Sequence, residues 1–324
     1  MRMSVYMFHL EVHCYESRYF DPADYVDRNI GPLTILYGYE NGKYPHGNSL
    51  VVRGSKRSLI IDPCLGVVAR QDRLPEVDAV FHSHTHEDHI AGTHLFRGKQ
   101  WYAHELDALG LESIEGLMAI YGLEGAVHDA FKEEIETKFY YPHDGEKVTV
   151  FQDGDEFDIG GVTLRVLHTP GHTRGHSCFI ISWGGSPEKR LVYLGDIELT
   201  GFGPYYGDAW SDLEDFETSI ERLRELDAKW WLTFHHKGLI ESREKFLIML
   251  DKFGSMIRYR EENLLSFLSK PRTMDDIVSH RFVYRPGQTG FMIDAVERRS
   301  MGMHLERLIR VGSVEFKNNT YVLC

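Results

Sequence analysis

The stretch from Phe81 to Gly92, FHSHTHEDHIAG, sets four histidines, a glutamate and an aspartate between His82 and His89, directly after the apolar run VDAVF. Side chains two residues apart on a strand share a face, so a strand would carry His84 and His86 to one side of the chain. The turn into HIAG then brings Asp88 and His89 round to the same point. Neutral imidazole and carboxylate suit zinc and other borderline divalent ions, and this many groups exceed the needs of one tetrahedral ion. Two adjacent metal ions are the simplest reading. A solvated polar loop explains one isolated histidine better than it explains this spacing.

Three later segments add donors of the same kind. LHTPGHTRGH offers His168, His172 and His176, LVYLGDIE ends a strand with Asp196, and WWLTFHHKG ends another with His235 and His236. Each lies at a strand-to-loop junction, where α/β sheets present functional residues. Short apolar runs such as SLVVRG, SLIIDPCLG and VDAVFHSH read as strands, and SLIID and VDAVF lack polar alternation, as strands covered on both faces do. Helical patterns interrupt them: ELDALGLESIEGLMAIYGLEGAVHDAFKEEIETKF is broken by its glycines. SDLEDFETSIERLRELDA places Leu213, Phe216, Ile220 and Leu223 at helical spacing behind Ser211 as the expected cap. The order of strands, helices, strands, helices predicts a layered α/β fold with sheets sandwiched between helices.

Composition limits the function classes. A chain of 324 residues with 42% hydrophobic content is long enough for one large domain and a smaller one. A net charge of -13 argues against general binding to a nucleic acid backbone. Cys14, Cys64, Cys178 and Cys324 show no paired spacing, so neither a disulfide framework nor a zinc knuckle is expected, and a reducing cytoplasm fits. The first twenty residues lack the h-region of a leader, and no run is apolar enough for a membrane span.

The set HxHxDH at 84–89, then TPGHTRGH, then GD at 195–196, then a final histidine, resembles the metallo-β-lactamase-fold superfamily across roughly residues 45 to 245. The resemblance implies an αββα sandwich and two divalent metal ions, zinc by preference, with iron or manganese also compatible. It assigns His84, His86 and His172 to one ion and Asp88, His89 and His236 to the other, with Asp196 bridging. His235 is the alternative to His236, because FHHKG replaces the usual GHG turn. It further implies that Asp62 supports the site by hydrogen bonds; His82 and His176, which flank the motifs, read as structural or as partners that fix the ligating imidazoles. The activity implied is hydrolysis by a metal-bridging hydroxide, oriented by Asp88, which also shuttles a proton. Tyr205 and Tyr206, in the loop after Asp196, are candidate donors to a substrate carbonyl, with packing as an equal reading. Leu117, Met118, Ile120 and Tyr121 read as core, with a lid as the alternative. Cys178 reads as a packed thiol.

Beyond residue 253 the texture changes to a helix over MIRYREENLLSFLS, a capped helix from Thr273, and a third helix followed by two short strands. Residues 1–253 are therefore expected to form the catalytic domain and 254–324 a small winged-helix-like α+β domain, similar to the tail of the lactamase-like endoribonucleases. Arg298, Arg299, Arg307 and Arg310 on the third helix are its candidate nucleic acid contacts. Packing against the catalytic domain or homodimerisation is favoured over that role, since the acidic remainder would repel a long polyanion. The expected substrate is a small ester, thioester or lactone. Single-stranded RNA cleavage is the alternative, and mononuclear iron sulfur dioxygenase chemistry is a third.

Overall fold

The computed structural model describes residues 27–142, 147–290 and 292–324. The N-terminal stretch containing Cys14, read above for a leader, lies outside the described residues.

The first sheet takes seven strands in chain order: β1 (Arg28–Ile30), β2 (Leu33–Leu36), β3 (Ser49–Arg53), β4 (Ser58–Ile61), β5 (Ala79–Phe81), β6 (Gln100–His104) and β7 (Val148–Phe151). β1 to β4 are antiparallel neighbours, and β4 to β7 are parallel. The second sheet runs in the order β13-β12-β11-β10-β9-β8, from β8 (Glu156–Asp158), β9 (Thr163–His168), β10 (Ser177–Ser182), β11 (Arg190–Tyr193), β12 (Trp230–Leu232) and β13 (Leu239–Ile240). Alternation along the strands explains the layering. Leu50, Val52, Leu59, Ile61 and Phe81 point into one core with Leu164, Phe179, Ile181, Leu191 and Leu232 of the second sheet. Their neighbours Val51, Ile60 and Val80 fill a separate core on the outer face with Val67, Phe96 and Trp101. Both faces of the central strands are thus buried, which is why their sequences carry no polar alternation.

Helices complete the layers. α1 (Ile114–Tyr121) and α2 (Gly125–Lys138) are separated at Gly122, whose φ of 59° is left-handed backbone that suits glycine. Leu117, Met118, Ile120 and Tyr121 are packed in the core. α3 (Leu213–Arg224) buries Leu213, Phe216, Ile220 and Leu223, the four residues its spacing nominates. Its cap is Asp212, whose carboxylate accepts from the Glu214 and Asp215 amides. Ser211, the expected cap, instead donates to the His172 carbonyl at 2.8 Å. α4 (Arg243–Phe267) lies over the second sheet, with Phe246 stacked on Trp231 of β12 at 3.5 Å between centroids.

α4 also carries the chain through residues 253 and 254 without a break, burying Phe253 and Ile257 on the way. The boundary drawn from sequence texture therefore falls inside one helix. α5 (Met274–His280) follows behind a capping box of Thr273 and Asp276, then α6 (Ile293–Arg310) and the hairpin β14 (Val314–Lys317) with β15 (Thr320–Leu323). The four α6 arginines are engaged within the protein. Arg298 pairs with Asp275, Arg307 with Glu217 and Glu261, and Arg310 with Glu214, while Arg299 donates to the Tyr121 and Gly122 carbonyls. Arg299, Arg307 and Arg310 fasten the C-terminal part to the sandwich, while the Arg298–Asp275 pair lies within that part. Among the described residues no helix is long and apolar enough to cross a membrane.

Candidate metal centre

The histidine-rich motif begins where β5 ends at Phe81, so His84 and His86 lie in the loop beyond the strand rather than on it. A single helical turn, Glu87–Ile90, follows His86 and turns Asp88 and His89 back toward the same point. The β9–β10 loop brings His172, the end of β11 brings Asp196, and the end of β12 brings His235. Gly195 permits the last turn before Asp196: its φ is 52°, and a Cβ there would stand 2.6 Å from His176 Nε2.

Two donor clusters result. His84, His86, His172 and Asp196 each offer an atom within 4.8 Å of the others, and so do Asp88, His89 and His235. Asp196 stands between them, with Oδ2 3.3 Å from His172 Nε2 and Oδ1 2.9 Å from His89 Nε2 and 3.8 Å from His235 Nε2. Asp196, Glu198 and His235 form a third such group.

His236, the ligand favoured from sequence, is outside these clusters. Its φ of 62° sends the side chain outward, 35% exposed and 4.0 Å from Glu198 Oε2. His235 is the residue turned inward, 3% exposed, with Nε2 2.9 Å from Asp88 Oδ2. The turn is locked by Thr233 Oγ1, which donates to the His235 carbonyl and accepts from the Gly238 amide. Nothing in the letters HH distinguishes the two; the left-handed residue decides.

The far side of each imidazole fixes its tautomer. Nδ1–H of His89 donates to Asp62 Oδ2 at 2.8 Å, that of His172 to the Tyr205 carbonyl at 3.1 Å, and that of His235 to the Gly42 carbonyl at 2.7 Å. His84 Nδ1 stands 3.2 Å from Ser83 Oγ, whose own proton goes to Asp62 Oδ2. His86 is reversed: Nε2 approaches Asp208 Oδ2 at 3.1 Å, close but not aligned as a hydrogen bond, and Nδ1 faces inward. All five rings therefore present a lone pair to the interior when neutral.

That arrangement fits cations. His84 Nε2, His86 Nδ1 and His172 Nε2 stand 3.0 to 3.2 Å from one another with no proton left to share among them. Ligands about 2.1 Å from one tetrahedral ion lie about 3.4 Å apart, close to this triangle. In the second cluster Asp88 Oδ2 is buried without an aligned hydrogen bond, despite its 2.9 Å approach to His235.

Electrostatics point the same way. Burial opposes charge on His89, yet Asp196, Asp88 and Asp62 hold its pKa well above the usual histidine value. Burial likewise opposes ionisation of Asp196, but His89 and His235 hold its pKa well below the carboxylate range. His84, with burial and three neighbouring imidazoles against its charge, is held well below normal. The pocket favours positive charge where carboxylates converge and bare lone pairs where histidines converge.

Supporting residues complete the picture. Asp62 also accepts from the Ser83 amide and the Tyr193 hydroxyl. His82 contacts Thr93 and the Tyr102 carbonyl, while His176 Nε2 accepts from the Asp196 amide. His168 is elsewhere, stacked on His104. Cys178 is buried, and burial pushes its thiol up to about 12, consistent with packing. Tyr206 does not face the centre; its hydroxyl meets His304 Nε2 at 3.0 Å in the core beneath α6. Tyr205 lies beside His172, but its hydroxyl donates to Asp208. Sequence reading missed Ser83, Asp208 and Glu198, and also Tyr121, which stacks on His86 and donates to Glu87. Only proximity in the fold reveals them.

The surroundings match known proteins. A metallo-beta-lactamase family protein from Thermus thermophilus superposes with a TM-score of 0.67 at 21% identity, over 91% of this chain and 99% of that one. A Gallus gallus protein named acyl-coenzyme A thioesterase is 27% identical over 206 residues, 58% of this chain and 69% of the relative. The atrochrysone carboxyl ACP thioesterase of Claviceps purpurea is 28% identical over 265 residues, 76% of this chain and 70% of the relative. The chain spans 65% of the length of a Mycobacterium tuberculosis relative to which it is 28% identical. A family model, described as the metallo-beta-lactamase superfamily, matches residues 44–252. That match takes in every cluster residue and more than half the sequence, and the chain belongs to this superfamily of metal-dependent hydrolases.

Proposed function

We propose that the protein is a two-metal hydrolase of small carbonyl substrates, with thioesters first among esters, thioesters and lactones. The observation that carries this reading is the sharing of Asp196 between two donor clusters, each lined with inward lone pairs. His84, His86, His172 and Asp196 would hold one ion; Asp88, His89, His235 and Asp196 would hold the other. A pair of divalent ions there supplies Lewis acidity and water acidified into the neutral range. Zinc suits the nitrogen-rich first cluster, with iron or manganese also compatible.

The protein's own groups do the rest. Asp88 faces the interior with an unaligned carboxylate oxygen, suited to orienting a water molecule and passing a proton onward. Hydrolysis forms a bond from water oxygen to the acyl carbon and breaks the carbon–sulfur bond, and the proton ends on the leaving thiolate. His86 is braced by Asp208 and by the Tyr121 ring, and His172 by the Tyr205 carbonyl, so the donor positions are preorganised. We read Tyr205 as a brace rather than a carbonyl donor.

The two thioesterase-named relatives support a thioester over a phosphodiester substrate. Of the α6 arginines expected to meet RNA, Arg299 and Arg307 are engaged by internal partners, while Arg298 and Arg310 lie in exposed ion pairs with Asp275 and Glu214. We read the helices and hairpin of the tail as a winged-helix-like packing module. Metal analysis combined with a panel of thioesters, lactones and single-stranded RNA tests the reading. Two metals per chain with thioester turnover is the expected result. RNA cleavage without thioester turnover refutes it.

A further inference from the structure

Between α4 and the loop that follows α5 lies an open groove of about 840 Å³ whose floor begins at Gly201 and Phe202, just after the Asp196 turn. In a chain of net charge -13 its character is unexpected. No aspartate or glutamate is among the described residues that line it, while Lys270, Arg272, Arg281 and Arg285 all do. Arg281 is committed to Asp294 and Arg272 lies over the Phe267 ring at 4.2 Å. Lys270 and Arg285 are exposed on the rim. The groove also presents aromatic surface: Phe202 is 36% and Tyr259 54% exposed. Such rings are the natural seat for a planar heterocycle, and the cations for phosphate.

The groove borders the loop that runs from Phe202 to Asp208, the residue facing His86. Tyr284, on its wall, packs against Phe202 at 5.7 Å between centroids. Burial first, and then the Asp208 carboxylate, push the Tyr284 hydroxyl up to about 12, so the ring lies within the field of the residue that braces His86.

We propose that this groove binds the leaving group of the substrate, and that the leaving group is a thiol carrying a phosphorylated adenosine handle, the coenzyme A class. The inference rests on the thioester reading of the metal centre. The adenine would stack on the exposed rings, Lys270 and Arg285 would meet the phosphates, and the flexible arm would carry the thioester past Phe202 and Tyr284 to the donor clusters. A volume near the upper range for small-molecule sites suits such a handle.

The test compares the same acyl group on coenzyme A and on N-acetylcysteamine, which lacks the handle, and measures binding of free coenzyme A and of adenosine 3′,5′-bisphosphate to the full chain by calorimetry. Expected are a kcat/KM at least about tenfold higher for the coenzyme A thioester, and binding of both free ligands that weakens with salt. The Lys270→Ala/Arg285→Ala variant should lower the ratio of the two kcat/KM values about tenfold and weaken calorimetric binding equally. Equal kcat/KM for the two thioesters, or binding unaffected by the double substitution, overturns the inference. Oligonucleotide binding that displaces coenzyme A from Lys270 and Arg285 overturns it in favour of RNA. Should neither thioester be cleaved while coenzyme A binding persists and is lost in the variant, the groove assignment stands and the thioester reading of the metal centre falls.

Discussion

Replacing His235 with alanine removes an inward Nε2 that stands 2.9 Å from Asp88 Oδ2 and 3.8 Å from Asp196 Oδ1. Replacing His236 removes a ring that is 35% exposed and reaches only Glu198, at 4.0 Å. Structural zinc sites of four protein ligands bind with about 10–16 kcal/mol, so one ligand is worth roughly 3 kcal/mol, or about two orders of magnitude in affinity. Dialysis of both variants against a series of chelator-buffered zinc solutions, with metal counted per chain, reads this directly. The His235→Ala protein should retain one tightly held ion and lose the second across the series. His236→Ala should follow the parent within about threefold, the size of an exposed electrostatic effect. Circular dichroism of both proteins separates ligand loss from misfolding. Loss of the second ion from His236→Ala, with two ions kept by His235→Ala, would refute the assignment of the second cluster.

Asp62→Asn should weaken metal binding by about 10–100-fold while leaving the fold intact, because Asp62 orients His89 and Ser83 without reaching the interior itself; a metal titration showing no change would count against that role. In metal-free protein, burial disfavours charge on His235, but Asp196 and Asp88 outweigh it and raise its pKa to about 10. A raised folded value stabilises below the unfolded pKa near 6.5 and loses that contribution as pH rises toward 10. Melting temperatures in chelator should therefore fall over that interval and fall less when metal is bound; a rise in chelator contradicts the electrostatics. Cys178→Ala should keep turnover, and the native thiol should resist alkylation at neutral pH, given its pKa near 12; rapid labelling would place it elsewhere. Phe216→Ala should cost about 3–5 kcal/mol in denaturant unfolding, as expected for a ring fully inside the second-sheet core.

Much of the fold was legible because burial on both faces writes itself into β3, β4 and β5 as uninterrupted apolar runs. The same physics gave the apolar stripe of α3, and the spacing of the motifs nominates six of the eight residues that the fold gathers into donor clusters. What escaped depends on single backbone angles or on contacts between distant segments. Ser211 and Asp212 are both good caps, and only the demand of the His172 carbonyl for a donor assigns them. His235 and His236 are chemically identical, and the left-handed turn at 236 chooses. Asp208, braced against His86, sits over a hundred residues away from it, in a loop with no periodicity. The boundary expected at 253 follows a change in composition, and composition does not register that α4 continues across it.

The loop from Phe202 to Asp208 is gripped from both sides. Arg260 of α4 donates to the Phe202 and Pro204 carbonyls, and Ser300 of α6 to the Tyr206 carbonyl, while Tyr205 and Asp208 hold His172 and His86. The appended module is consequently part of the scaffolding of the donor clusters. Grafting a foreign tail onto this sandwich, or trimming the native one, would disturb the groove and the donor clusters together, and would register as altered metal occupancy even with no substrate present.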